Sequence, residues 1–465
     1  MLDVFARDLP KERLPIDYIQ TLNNNDRVDA LQACLIVYVL TVTTIAPRQF
    51  QLESALATLN GRDSLITAGT GSGKTMCIII PILLHPGTMS MTVSPLKCLQ
   101  TTQVRESMKY GIATLSINED TLNDSFLWER VHIDEAHNIH TAGLPHHGEE
   151  AFRPAYSKLG ELHVLLCKGT TFQALSATLP PHILSTVWHE LMISPDHVSL
   201  ALSTNRLNIT YATTPVVGSL HNFHNFDCLI PENYAPPMMI PKTLIFHDNK
   251  QEAAAAAAYN DLRLPKALQN QGIVKHYHSD MSTEYLQQMY NDFASTTGTC
   301  RIIHATAGAS TGLDIQGVMI VIQYGIPKSM SEAAQRGGCA VRDGHLCGLY
   351  LIMVETWALE VELTDEHDDN CDPDKPYAAI LKKNSSKKDR TGCAALCYAQ
   401  STICLREFLQ SILMIKHLQL LEETEEWGKD CGQQILKVIA QFDEENVVTG
   451  SHSHLAKKTH TSVTA

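Results

Sequence analysis

Apolar runs rich in β-branched residues recur along the chain, each followed by a stretch of helical character. The first series is "SLITA" at 64–68, "MTVSP" at 91–95, "RVHIDE" at 130–135 and "FQALSAT" at 172–178. Strands covered by helices on both faces read as continuous apolar segments, so these runs predict a parallel sheet with crossover helices. A second series follows with "KTLIFHD" at 242–248, "GIVKHYHS" at 272–279, "CRIIHAT" at 300–306 and "VMIVIQYG" at 318–325. The expected fold class is therefore α/β, with two domains of parallel sheet flanked by helices. Between the series, "CLIPENYAPPMMIP" at 228–241 holds four prolines and no helical period, so it reads as linker or surface loop. The alanine run 253–258 reads as helix. After Val354 the pattern dissolves into acidic "TDEHDDNCDPDKP" and basic "KKNSSKKDR", and helical sequence resumes near Leu405. The expected division is an N-terminal extension 1–45, a first lobe 46–205, a linker 206–240, a second lobe 241–355, and a linker with a small, mostly helical C-terminal module 356–465.

A length of 465 residues exceeds what one core comfortably supports and agrees with that division. With 44% hydrophobic and 18% charged residues and no long low-complexity tract, the chain is of the soluble globular class. Its 13 cysteines are scattered and mostly sit beside apolar residues (Cys34, Cys77, Cys167, Cys300), which reads as free thiols in a reducing compartment rather than a disulfide framework. The first 20 residues carry acids and bases with no apolar core, against a secretory signal, so a nuclear or cytoplasmic location is expected. Residues 30–46 run uncharged for 17 positions but include Gln32 and threonines. A transmembrane helix wants about 20 predominantly apolar residues, so this stretch reads as buried core and no membrane partner is expected. The net charge of −14 requires any nucleic-acid contact to use local basic patches.

The candidate chemistry starts at "AGTGSGKT", residues 68–75. After a strand and before a helix, Thr70, Gly71, Ser72 and Gly73 would cradle phosphates with backbone N–H groups, Lys74 would reach the β- and γ-phosphates, and Thr75 would hold Mg²⁺. Ala68 stands where the strict phosphate-loop pattern has glycine. Asp134, in "HIDEAHNIH" 59 residues past Thr75, can share that metal, and Glu135 is placed to orient the attacking water. Histidines crowd this region, but no HExxH spacing appears, and His137 reads as a coupling residue instead. Ser176 and Thr178 are small hydroxyls after a strand, suited to relaying cleft closure, or else plain turn residues. A cleft that closes on ATP needs a group from the second lobe. Gln335 and Arg342, in the glycine-rich "QRGGCAVRDG", are placed to supply it, Arg342 as an arginine finger.

Taken in order, "AGTGSGKT", "VSPLKCLQ", "HIDEAHNIH", "ALSATLP", "LIFHD", "HATAGASTGLD" and "QRGGCAVRDG" resemble the motifs of superfamily 2 helicases. "RQFQLESALATLNGRD" at 48–63 and "FRPAYSKLGEL" at 152–162 resemble the adenine-reading motif and the aromatic-rich loop of RecQ-type DNA helicases, as a divergent, fungal-like member. The resemblance covers about residues 46–350 and implies two RecA-like lobes, ATP and Mg²⁺ in the cleft, and DNA, single-stranded or forked, across the upper face. It implies roles for Arg48 and Gln51 at the adenine, Ser94 and Thr306 at backbone phosphates, and Gly312 and Asp314 in coupling. Phe152 and Tyr156, four apart, would stack on bases while Arg153 holds a phosphate; the other reading is an aromatic stripe packed inward. The function implied is a 3′-to-5′ ATP-dependent DNA helicase acting in the nucleus. The alternatives are an RNA helicase sharing the DEAH letters and a degenerate binder of ATP and nucleic acid that does not unwind. Three departures weaken the likeness. Only 39 residues separate Pro95 from Asp134, Cys339 replaces the first arginine of the last motif, and "CLREFLQ" at 404–410 opens a zinc module whose close downstream cysteines are reduced to Cys431. Structural zinc needs four ligands, so zinc is not expected. Arg342 would then act alone, with Arg336 as a candidate substitute and Cys339→Arg expected to raise turnover.

Overall fold

The computed structural model describes residues 11–42, 44–95, 97–114, 128–232, 234, 240–306, 309, 315–342, 346–363 and 372–413. Strands β1 (Ser64–Thr67), β2 (Ser90–Val93), β3 (Arg130–Ile133), β4 (Thr171–Ser176) and β5 (Val198–Ala201) form one parallel sheet, ordered β2-β3-β4-β1-β5. Strands β6 (Ile209–Pro215), β7 (Thr243–Phe246), β8 (Val274–Tyr277), β9 (Ile302–Ala305), β10 (Ile320–Tyr324) and β11 (Gly348–Val354) form a second, ordered β6-β11-β10-β7-β9-β8. Helices flank both sheets, as the apolar runs predict. The central strands β3, β4, β7, β9 and β10 are buried along their whole length.

The stretch 206–240 is not a free linker. Ile209–Pro215 pairs in parallel with Gly348–Val354 as the edge of the second sheet, and Phe226, Leu229 and Ile230 are buried in that lobe's core. An edge strand that is buried only at Ile209 and ends in proline carries no alternating or continuous apolar pattern. At the other end, the helix Asn24–Leu40 buries Ala30, Ala33, Cys34 and Val37 against the helices Gln49–Leu59 and Thr75–Leu84. Asn23 caps it by accepting from the Asp26 N–H at 3.0 Å. Among the described residues no helix is long and apolar enough to cross a membrane.

The second lobe encloses a polar relay. Asn260 Nδ2 donates to His304 Nε2 at 3.2 Å, which leaves His304 Nδ1 to donate to His247 Nε2 at 2.9 Å. Both rings are fully buried. Burial pushes His247 down to about 3 and His304 well below its ordinary value, so both are neutral in the fold. Because their folded pKa values lie below the unfolded one near 6.5, their contribution is complete above that pH and is lost as pH falls. Stability should therefore drop below pH 6.5 by up to about 1.4 kcal/mol per pH unit for each ring. Urea midpoints at pH 7, 6 and 5 measure this slope, and His304→Gln should flatten it.

Candidate active site

The phosphate loop forms where β1 leaves the sheet. Gly71 (φ 81°) and Gly73 (φ 83°) take left-handed conformations that turn successive backbone N–H groups toward one concavity. A Cβ on Gly73 would come within 2.7 Å of the Gln51 amide. Ala68 costs nothing at its position, because it is fully buried and its N–H donates to Ser176 O at 3.0 Å. Lys74 Nζ donates to Ala68 O at 2.8 Å and Gly69 O at 3.4 Å, folding back over its own loop. Gln51 is buried. Its oxygen accepts from Arg48 N at 2.8 Å and its amide donates to Gly73 O at 2.9 Å, so it ties its helix to the loop.

Asp134 and Glu135 follow β3, beside β4 in the sheet. Asp134 accepts from Gln103 Nε2 at 2.7 Å and from the Glu135 N–H at 3.0 Å. Burial, and then neighbouring Glu135, push its carboxyl up to about 6, while Lys74 pulls it back. Glu135 sits at φ 51°, a conformation a non-glycine residue holds only when its surroundings enforce it. His137 is buried and neutral, brought down to about 4 chiefly by burial. Its Nδ1 lies 2.9 Å from Ser176 Oγ and 3.4 Å from Glu135 Oε2. Ser176 Oγ also accepts from the Thr178 N–H at 3.2 Å.

The second lobe reaches this cluster through the helix Met330–Gly337, whose Gln335 side chain comes near enough to His137 to favour its charged form slightly. Beyond it, the Arg342 carbonyl stands 3.6 Å from where a Cβ on Gly71 would be, so the last motif lies on the phosphate loop. Arg336 does not face the cleft. Its guanidinium is buried 5.2 Å over the Phe246 ring and pairs with Glu332 at 2.5 Å, so it cannot stand in for the missing arginine. Cys339 belongs to the apolar core of that lobe, with Arg342 Nη2 3.8 Å from its Sγ. Arg206 joins the lobes. It donates to Thr70 O at 3.4 Å on one side and to Ala340 O at 3.2 Å and Val341 O at 2.5 Å on the other. Sequence reasoning missed Arg206 and Gln103; the signal for Arg206 was a lone arginine flanked by asparagines in "TNRLN", between β5 and β6.

Ser94 follows β2 and Thr306 follows β9, both at the C-terminal ends of their parallel strands; Ser94 is buried, with no hydrogen-bond partner on its hydroxyl. The aromatic loop divides. Phe152 is 78% exposed with the Arg153 guanidinium 5.5 Å from its ring, and Arg153 also donates to Pro95 O. Tyr156, 9% exposed, packs among Ile139, Leu179 and Ile183, which corrects its expected place beside a base. Gly312, Asp314 and Cys431 lie outside the described residues. Among the described residues, no group of three or more His, Cys, Asp or Glu is arranged to hold a metal ion. Thr75 and Asp134 offer one hydroxyl and one carboxylate, a donor set that suits a magnesium ion keeping most of its waters.

Two parallel sheets with a phosphate loop, an Asp-Glu-Ala-His segment and an arginine-bearing glycine segment meet in one cleft, an arrangement similar to that of helicase cores built from two RecA-like lobes. The sequence matches the DEAD/DEAH box helicase family over residues 48–132 and the helicase conserved C-terminal domain over residues 235–344. More particularly, the sequence is similar to RecQ-type DNA helicases. It is 27% identical over 341 residues to the ATP-dependent DNA helicase hus2/rqh1 of Schizosaccharomyces pombe, covering 64% of this chain and 24% of that protein. It is 25% identical over 332 residues to the ATP-dependent DNA helicase RecQ of Haemophilus influenzae, covering 64% of this chain and 49% of that one. The chain thus spans about a quarter to a half of these relatives' length. The fold resembles the structure of Saccharomyces cerevisiae Dbp5 bound to RNA and ADP BeF3, at TM-score 0.56 and 15% identity over 83% of this chain and 97% of that one.

The two aromatics should separate on mutation. Tyr156→Ala is expected to cost about 3 kcal/mol or more through the cavity it leaves; Phe152→Ala should stay within about 0.5 kcal/mol, as denaturant titration will show. Cys339→Arg would drive a cation into an apolar core. It should destabilise the second lobe by about 3 kcal/mol or more rather than raise turnover, which the same titration and a steady-state assay measure.

Proposed function

We propose that the chain is an ATP-dependent DNA helicase motor of RecQ type, moving 3′ to 5′ on single-stranded or forked DNA. The observation that carries this reading is the meeting of Lys74, Asp134 and Glu135 from one lobe with Gln335 and the Arg342 backbone from the other. In this reading Lys74 leaves its own loop carbonyls for the β- and γ-phosphates. Thr75 and Asp134 hold a magnesium ion, which neutralises developing phosphate charge when bound. Glu135 aligns the attacking water, and Arg342 faces the transferred phosphoryl group. Gln335, His137 and Ser176 carry the change in lobe contact to the end of β4. Phe152, exposed beside a guanidinium, supports base stacking on the DNA side. The polarity and the DNA track come from the family likeness, and a DNA track makes the nucleus the expected location.

Weak turnover belongs to this reading: the last motif brings one arginine, Arg342, where the family likeness implies two, and removing an arginine finger costs about 10³–10⁵ in rate in phosphate-loop enzymes.

The deciding experiment measures ATP hydrolysis without nucleic acid, with single-stranded DNA and with single-stranded RNA, followed by unwinding of duplexes bearing 3′ or 5′ tails. Stimulation by DNA and unwinding from a 3′ tail are expected. Stimulation by RNA alone would make the chain an RNA motor, and nucleotide binding without turnover would make it a binder. Lys74→Ala should abolish hydrolysis, because residues 68–75 hold no other cation for the β- and γ-phosphates. Glu135→Gln should still bind fluorescent ATP analogues while turnover stops; loss of binding instead would give Glu135 a structural role.

A further inference from the structure

The end of the acidic stretch, residues 372–376, packs beside the cleft. Asp374 is buried and stands at the first turn of the helix Met330–Gly337. It accepts from the Met330 N–H at 2.7 Å, the Ser331 N–H at 3.3 Å and the Ser331 hydroxyl at 3.1 Å. Those amides belong to the unpaired donors of a helix N-terminus, where a carboxylate is also favoured by the helix dipole. Ser329 already caps the next amide by accepting from Glu332 N at 3.2 Å, so the first turn is held twice. The other end of this short helix presents Gln335 to His137 of the first lobe.

Two residues earlier, Asp372 Oδ1 lies 3.6 Å from His182 Nε2, on the first turn of the helix Pro181–Glu190 that follows Ser176 and Thr178. Pro373 between the two acids restricts the backbone. Further along, the Gly392 N–H donates to Lys328 O at 2.8 Å and Lys387 pairs with Asp248 at 2.7 Å and Glu355 at 2.6 Å, anchoring the segment at the strand ends of the second sheet. Arg390 Nη1 donates to His147 O at 2.8 Å in the first lobe. Residues 372–392 therefore touch the helix that follows β4 and the helix that carries Gln335.

We infer that Asp374 is a positioning residue of the nucleotide cleft: by fixing the start of the helix Met330–Gly337 it sets the place of Gln335 against His137 and of Arg342 against the phosphate loop. Neither role requires Asp374 to touch nucleotide. The inference rests on the proposed ATP-driven reading for its kinetic test only.

The full chain carries the experiment in two readouts. In the first, Asp374→Ala lowers kcat for ATP by about tenfold or more, as expected of a displaced catalytic group, while KM stays within about threefold, since Lys74 and its loop are untouched. Asp374→Asn keeps one acceptor oxygen and recovers part of the loss. In the second, made without nucleotide, the His137 ring signal in a nitrogen-15 histidine spectrum, identified by its disappearance in His137→Gln, shifts in Asp374→Ala and moves back toward wild type in Asp374→Asn. If wild-type protein does not hydrolyse ATP, the motor reading fails and the His137 signal alone decides the positioning role. An unmoved His137 signal overturns the inference, as does a folded Asp374→Ala with unchanged kcat. A loss that follows melting temperature in every variant, with no recovery in Asp374→Asn, overturns it too. Should Asp374→Ala not fold, Ser331→Ala, which removes one donor, takes its place in both readouts.

Discussion

The arrangement of the cleft depends on one buried, neutral imidazole. His137 has the Ser176 hydroxyl and the Glu135 carboxylate at one ring nitrogen and the Asn138 amide at the other, with Gln335 of the opposite lobe close by. A charged ring here would have to give up at least one of these partners, since imidazolium can only donate. Burial keeps the ring neutral, and neutrality lets it join donors and acceptors. The register of the sheet then decides what moves with it. Thr67 pairs with Ser176 across β1 and β4, so the phosphate loop begins beside the hydroxyl that His137 contacts.

That geometry explains which parts of the molecule were legible in the sequence. Buried central strands show as unbroken apolar runs because both faces meet helices, and every strand predicted from such a run is present. The edge strands β5 and β6 are only partly buried and carry no such run, whereas β11 was missed although Gly348–Val354 is an interior strand with an unbroken apolar run. The aromatic loop was misread in its period. A spacing of four places Phe152 and Tyr156 on one face only of an α-helix, whereas the chain bends at Phe152 and enters a 3₁₀ helix at Pro154. At three residues per turn the two rings part, one outward and one into the core. Arg336 failed as a substitute finger for a similar reason, because adjacent helical positions point about 100° apart and Gln335 already occupies the cleft side.

Charge distribution in the cleft follows from the same construction. The chain is acidic overall, with net charge −14, yet Lys74 and Arg206 both donate to carbonyls of the phosphate loop. Arg206 is the informative member, because it belongs to the crossing between β5 and β6 and donates to carbonyls of both lobes. A guanidinium offers five donors in a fixed plane, which lets one side chain satisfy three carbonyls that a lysine would leave partly unpaired. It holds the last motif on the phosphate loop through backbone atoms alone, so this one contact does not depend on which side chains stand at positions 339–342.

That independence makes sense of the altered last motif. Cys339 fills a small volume in the core of the second lobe, where a guanidinium would need a partner the surrounding apolar residues do not supply. Two residues on, Val341 holds φ at 33°, a strained value for a β-branched residue, although it is fully buried and its carbonyl is clamped by Arg206 and by Asn208 Nδ2 at 3.0 Å. A glycine would adopt this conformation without cost. The backbone path through the motif is thus enforced from outside it, by Arg206 and Asn208 at the crossing and by Asp374 at the start of the preceding helix. Departures in its side chains change the charge in the cleft while the path, and with it the approach of Arg342 to the phosphate loop, is kept.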